Sequence, residues 1–299
     1  MCGIVGLQLR AEAHRERLGE LIAAMLGQLR DRGPDSAGVA LYGDASLCPP
    51  GGAAVSVLAG DVPASDLAEA LRRLLPGLAV DVTAVAEVRV AAAPVTPAEL
   101  TAAVRTALPA AALLGSGTDL VVLKGIGDPL DLARSFALDG RAGFQAVGHT
   151  RMATESAVTV AHSHPFCVHP GLCLVHNGSF ANHETIRRQL MADGVTFDTD
   201  NDSEVAARFV GACLDRGDDL EKALHKVCET FDGFYTLLAT TPTEFAVVRD
   251  AIACKPALIA EGPGWVAMAS EYRALSGLPG IAEARVFEPM PEEVYLWSV

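Results

Sequence analysis

None of the seven cysteines, at positions 2, 48, 167, 173, 213, 228 and 254, stands in a CxxC pair. An odd, scattered set of this kind implies a reduced, cytoplasmic protein, not a disulfide framework. No apolar run is long enough to span a bilayer. No basic segment followed by an apolar stretch opens the chain, so no secretory signal is expected. Positive charge is also short: 23 Lys and Arg face 37 Asp and Glu, for a net charge of −14. That balance argues against nucleic-acid or membrane-surface binding and for small-molecule or protein partners. GxGxxG and GxxxxGK[ST] are both absent, so no nucleotide fingerprint supports a Rossmann or P-loop reading. No cofactor is expected.

The N-terminal residues, by contrast, are informative: Met1-Cys2-Gly3-Ile4-Val5-Gly6. Cysteine is small enough for the initiator Met1 to be trimmed, which would leave Cys2 with a free α-amine. An α-amine titrates at roughly 7.7–8.0 and a free thiol at about 8.5. Nucleophile and base would then share one residue, the logic of a catalytic N-terminal threonine.

Periodicity predicts a buried strand over 2–9, an amphipathic helix over 14–31 and a strand over 36–42. Pro49-Pro50-Gly51-Gly52 marks a boundary. An Ala/Val/Leu-rich stretch follows, with strands at 53–59, 79–91 and 119–124 and helices at 64–75, 97–108 and 130–138. This alternation reads as a small α/β insertion used for packing or docking. From 145 onward short strands (146–150, 172–176, 234–240, 244–249, 257–260, 265–269, 284–288, 293–297) surround helices at 183–192, 203–214 and 218–229. Such a pattern fits a layered sandwich better than a parallel doubly wound sheet.

Four blocks join Cys2: Arg32-Gly33-Pro34-Asp35-Ser36-Ala37-Gly38, Gly148-His149-Thr150-Arg151-Met152-Ala153-Thr154, His176-Asn177-Gly178 and Asn201-Asp202-Ser203-Glu204. In this order and spacing they resemble the class II glutamine amidotransferases, the N-terminal-nucleophile glutaminases. The resemblance implies an α+β fold, a four-layer αββα N-terminal-nucleophile hydrolase sandwich. One amidotransferase domain would span 2–299, with its core at 2–44 and 145–299 and the α/β insertion at 45–144. Arg249-Asp250, Lys255-Pro256 and Ala269-Ser270-Glu271 resemble a further family segment that closes over the glutamine pocket, with Ser270 read as a structural cap.

Releasing ammonia from L-glutamine needs a nucleophile, a proton shuttle, oxyanion donors and a clamp for the α-amino and α-carboxylate groups. The resemblance implies that Cys2 is the nucleophile and that Asn177 and the Gly178 backbone N–H form the oxyanion hole. Arg151, whose planar fork suits a carboxylate, and Thr154 would bind the α-carboxylate, and Asp202 the ammonium. Arg32 would order the loop around Cys2, and His164-Pro165 resembles the family's His-Pro loop. The plainer readings are a turn-stabilising ion pair for Arg32 and Asp35 and surface charges for Arg151 and Asp202. Met152 and Glu155 depart from an aromatic and a histidine in the sugar-amidating members.

No acceptor domain follows residue 299, so the ammonia is expected to serve another polypeptide. The pattern looks most like the stand-alone glutamate-synthase-related amidotransferase subunits, including that of N-methylglutamate synthase. The partners implied are a flavin-dependent glutamate-synthase-like subunit and a β-helix-like subunit. Two other readings stay open. His162, His164, Cys167, His169, Cys173 and His176 form a His/Cys loop that a metal-binding or scaffold subunit would use, although its spacing matches no standard zinc module. Alternatively, the chain binds an amino acid and hydrolyses little.

Overall fold

The computed structural model describes residues 2–152 and 158–298. The chain opens with β1 (Gly3–Leu9), α1 (Leu18–Gln28) and β2 (Ser36–Tyr42). A βαββαβ unit follows: β3 (Ala53–Leu58), α2 (Ala64–Leu74), β4 (Asp81–Val85), β5 (Val88–Ala93), α3 (Pro97–Ala107) and β6 (Ala112–Thr118). Next come β7 (Leu120–Ile126), α4 (Pro129–Ser135), β8 (Gln145–Arg151), β9 (Phe166–His169) and β10 (Leu172–Phe180). Three helices, α5 (His183–Ala192), α6 (Asp202–Asp215) and α7 (Leu220–Thr230), precede β11 (Gly233–Thr240) and β12 (Glu244–Arg249). The chain closes with β13 (Leu258–Gly262), β14 (Trp265–Ala269), α8 (Tyr272–Leu275), β15 (Arg285–Phe287) and β16 (Tyr295–Ser298).

Two sheets form the centre, in the orders β15-β13-β14-β1-β8-β2-β7 and β16-β12-β11-β10-β9. Every strand pair described is antiparallel. β1 is buried along its whole length, as a largely apolar strand covered on both faces requires, and its one polar residue, Gln8, donates from Nε2 to Gln145 Oε1 at 3.0 Å. Helices α1, α4 and α8 pack on the outer side of the first sheet, and α5, α6 and α7 on that of the second. The result is the four-layer αββα arrangement. The two sheets meet through Tyr42, whose hydroxyl lies 3.0 Å from the Gly171 carbonyl and 3.1 Å from that of Thr240.

The insertion is a four-stranded sheet, β4-β5-β3-β6. Ala53, Val55 and Val57 face Leu67, Leu71, Leu100 and Val104 of its own two helices. The opposite face, through Ala54, Val88 and Val90, joins the main core, and the Ser56 hydroxyl accepts from Val122 N at 2.9 Å. β7 and α4, grouped with the insertion by the sequence reading, belong elsewhere: β7 pairs with β2 in the seven-stranded sheet.

Three expectations change. The helix predicted over 14–31 is regular only over Leu18–Gln28, because the charged Glu12–Arg17 segment buries no residue and winds as a 3-10 helix. The strand predicted over 79–91 is a hairpin, β4 and β5, reversing at Ala86 in a left-handed conformation (φ 50°) that no glycine advertises. Cys167 and Cys173, read as separate thiols, are joined as a disulfide with Cα atoms 4.4 Å apart. No described helix is long and apolar enough to cross a membrane.

β1 lies close against the second sheet because Gly6 has no side chain: a Cβ there would meet Leu238 Cδ2 at 2.4 Å and Phe245 Cε2 at 2.8 Å. Gly6→Ala is therefore expected to cost about 1–3 kcal/mol through overpacking, read as a lowered urea midpoint. Gly140→Ala, where a Cβ meets nothing within 4 Å, serves as control and should change stability by no more than about 0.5 kcal/mol.

Candidate active site

Cys2 immediately precedes β1, and its surroundings fix the head of that strand. The Arg32 Nε donates to the Cys2 carbonyl at 3.0 Å, and its Nη1 donates to Glu271 Oε1 at 2.7 Å. Glu271 also takes Arg273 Nε at 2.6 Å. Partial burial would raise the Glu271 carboxyl, but the Arg32 bond and the two arginine charges outweigh it and hold it below its ordinary value. Ser270 closes the other side: Ile4 N donates to its Oγ at 2.9 Å, and its own N donates to the Ile4 carbonyl at 3.0 Å. The residue read as a cap thus pins β1 two positions after Cys2. Sequence reasoning missed Glu271 as the Arg32 anchor, although the Ser-Glu pair was visible.

Arg151 ends β8. Gly3 pairs with Thr150, so Cys2 and Arg151 lie at the same end of the seven-stranded sheet. Arg151 is buried and pairs with Ser36 across to β2. The Cys2 Sγ lies 3.9 Å from the Met152 carbonyl. Thr154 and Glu155 fall outside the described residues.

The second sheet brings Asn177 and Gly178 on β10. Asn177 is buried, and its Nδ2 has no hydrogen-bond partner among the described residues. A buried donor left unpaired costs about 1–3 kcal/mol, which marks the amide as a group held for something that binds. Gly178 takes a φ of +151°, and a Cβ there would meet the Phe234 carbonyl at 2.0 Å, so only glycine fits. Beyond it, Phe180 N donates to Asp202 Oδ2 at 3.0 Å. Asp202 opens α6, capped by Asn201 Oδ1 accepting from Ser203 N at 2.8 Å. The Ser203 hydroxyl, 2.8 Å from His176 Nδ1, ties the helix start to β10.

Three buried histidines link the sheets. His149 Nε2 donates to the His176 carbonyl at 3.1 Å. His164 packs tilted by 32° against His149 with ring centroids 4.0 Å apart and meets Phe166 edge-on at 4.9 Å. Neither His164 ring nitrogen has a partner among the described residues. Burial pushes His149 down to about 3, against the bond to the His176 carbonyl. Burial, then the neighbouring histidine and cationic charges, pushes His164 well below its ordinary value. Burial lowers His176 as well, with Asp202 opposing. All three are neutral at pH 7.

The His/Cys loop does not converge. Cys167 and Cys173 are bonded to each other, while His162 pairs with Asp200 at 2.7 Å and His169 with Asp215 at 3.1 Å. Among the described residues no group of three or more His, Cys, Asp and Glu is placed to hold a metal ion.

A family model described as a glutamine amidotransferase domain matches residues 149–277. The glutamine amidotransferase-like protein GlxB of Rhizobium meliloti (strain 1021) is 43% identical over 302 residues, covering 100% of this chain and 98% of that protein. The chain belongs to the glutamine amidotransferase family. An isomerizing glutamine–fructose-6-phosphate aminotransferase of Xylella fastidiosa (strain 9a5c) is 36% identical over 148 residues, 48% of this amidotransferase chain and 24% of that protein. The structure of the glutamine phosphoribosylpyrophosphate amidotransferase from B. subtilis, complexed with ADP and GMP, superposes with a TM-score of 0.63 at 20% identity. That match covers 99% of this chain and 47% of the neighbour, so the amidotransferase spans about half of that structure's length. The fold is thus the N-terminal-nucleophile hydrolase sandwich of the class II amidotransferases.

The histidine column sets an acid limit on stability. Each ring is neutral when folded and has an ordinary value of 6.5 when unfolded. Below pH 6.5 the unfolded chain binds more protons, so stability falls as pH drops toward the folded value of about 3 for His149. His149 alone contributes a slope that approaches about 1.4 kcal/mol per pH unit below pH 6.5, and His164 and His176 act in the same direction. Urea midpoints measured from pH 7 to pH 5 should decline, and His164→Gln should decline less steeply. A flat wild-type profile would mean that the rings are not buried neutral.

Proposed function

We propose that this chain hydrolyses L-glutamine to glutamate and ammonia with Cys2 as nucleophile. Removal of Met1 exposes the Cys2 α-amine, which takes the thiol proton, directly or through a water. The sulfur attacks the side-chain amide carbon, and the resulting oxyanion is held by Asn177 Nδ2 and Gly178 N–H. The tetrahedral intermediate collapses with a proton delivered to the leaving nitrogen, which departs as ammonia and leaves a thioester. Water then attacks the thioester, releasing glutamate and restoring the thiol. Arg151 and Thr154 grip the α-carboxylate, Asp202 takes the ammonium, and Arg32 holds the Cys2 carbonyl. His164 supports this wall of the site through its ring contact with His149.

The observation that carries the reading is the unpaired, buried Asn177 amide beside a glycine whose position excludes every other residue. A donor aimed at an oxyanion has no partner until the oxyanion exists, and each such donor is worth about 2.7–4 kcal/mol in catalysis.

We place the reaction in the cytoplasm on the five cysteines that are free thiols, with the Cys167–Cys173 disulfide as the one observation against it. There the ammonia passes to a synthase of glutamate-synthase-like type, with a flavin-dependent and a β-helix-like subunit. The 43% identity to an amidotransferase-like protein over the whole of this chain supports the amidotransferase reading.

Intact-mass analysis is expected to show loss of Met1, and a retained Met1 would exclude the mechanism. Arg151→Ala should raise the glutamine KM about ten- to a hundredfold, the worth of a charge-assisted contact, with Asp202→Asn acting in the same sense. Asn177→Ala should instead lower kcat with little change in KM, since the oxyanion forms only along the reaction path. The opposite split between KM and kcat would assign these roles wrongly.

A further inference from the structure

A cavity of about 580 Å³ lies away from Cys2, between the insertion and the second sheet. Its volume falls within the roughly 300–1,000 Å³ of small-molecule sites. α3 and β6 form one side, β9 and the start of α6 the other, and Lys124 of β7 reaches in. Much of the wall is apolar: Ala98, Ala102, Leu113, Leu114 and Phe166.

Its charged groups are not balanced. Arg105, Lys124 and Arg208 line the cavity against two carboxylates, Asp198 and Glu204. Both carboxylates are already engaged. Arg208 Nη2 lies 2.8 Å from Asp198 Oδ2 and 3.0 Å from Glu204 Oε1. Glu204 also accepts from the backbone N–H groups of Asp198 and Thr199, at 2.9 and 2.7 Å. Lys124 is 5% exposed, yet no hydrogen bond or ion pair joins it to the described residues. Its contact is the Phe166 ring, whose centroid is 5.1 Å from Nζ. The Thr101 hydroxyl, which also lines the cavity, is buried without a partner. Burial brings Lys124 down to about 7, with Glu204 pulling the other way. An isolated cation in such a setting is costly until something pairs with it.

We infer that this cavity is a binding site for a small monoanionic acid with an apolar body, its carboxylate on Lys124. One negative charge balances the excess of one cation, and the alanine, leucine and phenylalanine walls take the apolar part. The Thr101 hydroxyl and the exposed Arg105 are the polar groups available at the insertion side. The site is also connected to α6. Glu204 and Asp202 share its first turn, and Asp198 and Thr199 are bonded to Glu204, so an occupant bears on the helix start. Only this last link, that occupancy changes glutamine affinity, rests on the role proposed for Asp202.

Sodium benzoate is the probe, with benzyl alcohol and benzylamine as neutral and cationic controls, measured by titration calorimetry on the full chain. Benzoate should bind saturably at one site, at least about tenfold more tightly than either control, the worth of a charge-assisted contact. Lys124→Met should weaken it about tenfold or more, and Ala102→Trp, a substitution at an exposed helix position that fills the cavity, should abolish it. Each variant is first matched to the wild type by its unfolding midpoint. Should Lys124→Met fail to fold, Ala102→Trp and the control ligands decide. No saturable benzoate heat, equal affinity for benzyl alcohol, or benzoate binding unchanged in Ala102→Trp would overturn the site. Binding that follows the expected pattern while glutamine KM stays constant would leave the site in place and remove only the coupling to Asp202.

Discussion

The structure depends on holding the first strand still. β1 is central in a seven-stranded sheet, paired along its length to β14 and β8. Its head is fixed by two contacts from distant parts of the chain, Arg32 on the Cys2 carbonyl and Ser270 on Ile4. A chain terminus ordinarily frays. Here the residue that precedes the strand is held by an arginine that is itself anchored on Glu271. Any chemistry assigned to Cys2 needs this, because a nucleophile misplaced by about 1 Å forfeits much of its advantage.

The second constraint joins the two sheets. The bond from His149 to the His176 carbonyl and the tilted His164 contact hold the register of β8 against β10, while the Tyr42 hydroxyl ties β2 to the Gly171 and Thr240 carbonyls. That register carries Asn177 and Gly178 on one side and Arg151 on the other. Burial keeps the rings neutral, so the link works without charge in a region where an unpaired charge would be expensive. The insertion has one face under its own helices and the other against β7, and the cavity with Lys124 opens along that junction.

Most of the architecture was readable in the sequence because it rests on local signals: the largely apolar β1, the amphipathic Leu18–Gln28 stretch, and the Pro49-Pro50-Gly51-Gly52 boundary before the insertion. The amidotransferase blocks are likewise contiguous runs. What escaped was decided by contacts between distant segments. β6 carries Gly115 and Gly117 and reads as loop, yet it is a strand because β3 pairs with it. Cys167 and Cys173 look unrelated until the β9–β10 hairpin sets their strands side by side. Lys124 sits in an otherwise apolar strand whose pattern gives no reason for a cation, and Glu271 shows its role only once Arg32, 239 positions away, lies against it.

Covalent labelling tests the central claim most directly. The purified chain is treated with a glutamine analogue bearing an electrophilic side chain, digested, and mapped by mass spectrometry. The account predicts a single modification, on the sulfur of an N-terminal Cys2, suppressed by excess L-glutamine. Modification at Cys48, Cys213, Cys228 or Cys254 in its place, or none at Cys2 under conditions that label a working glutaminase, would contradict it.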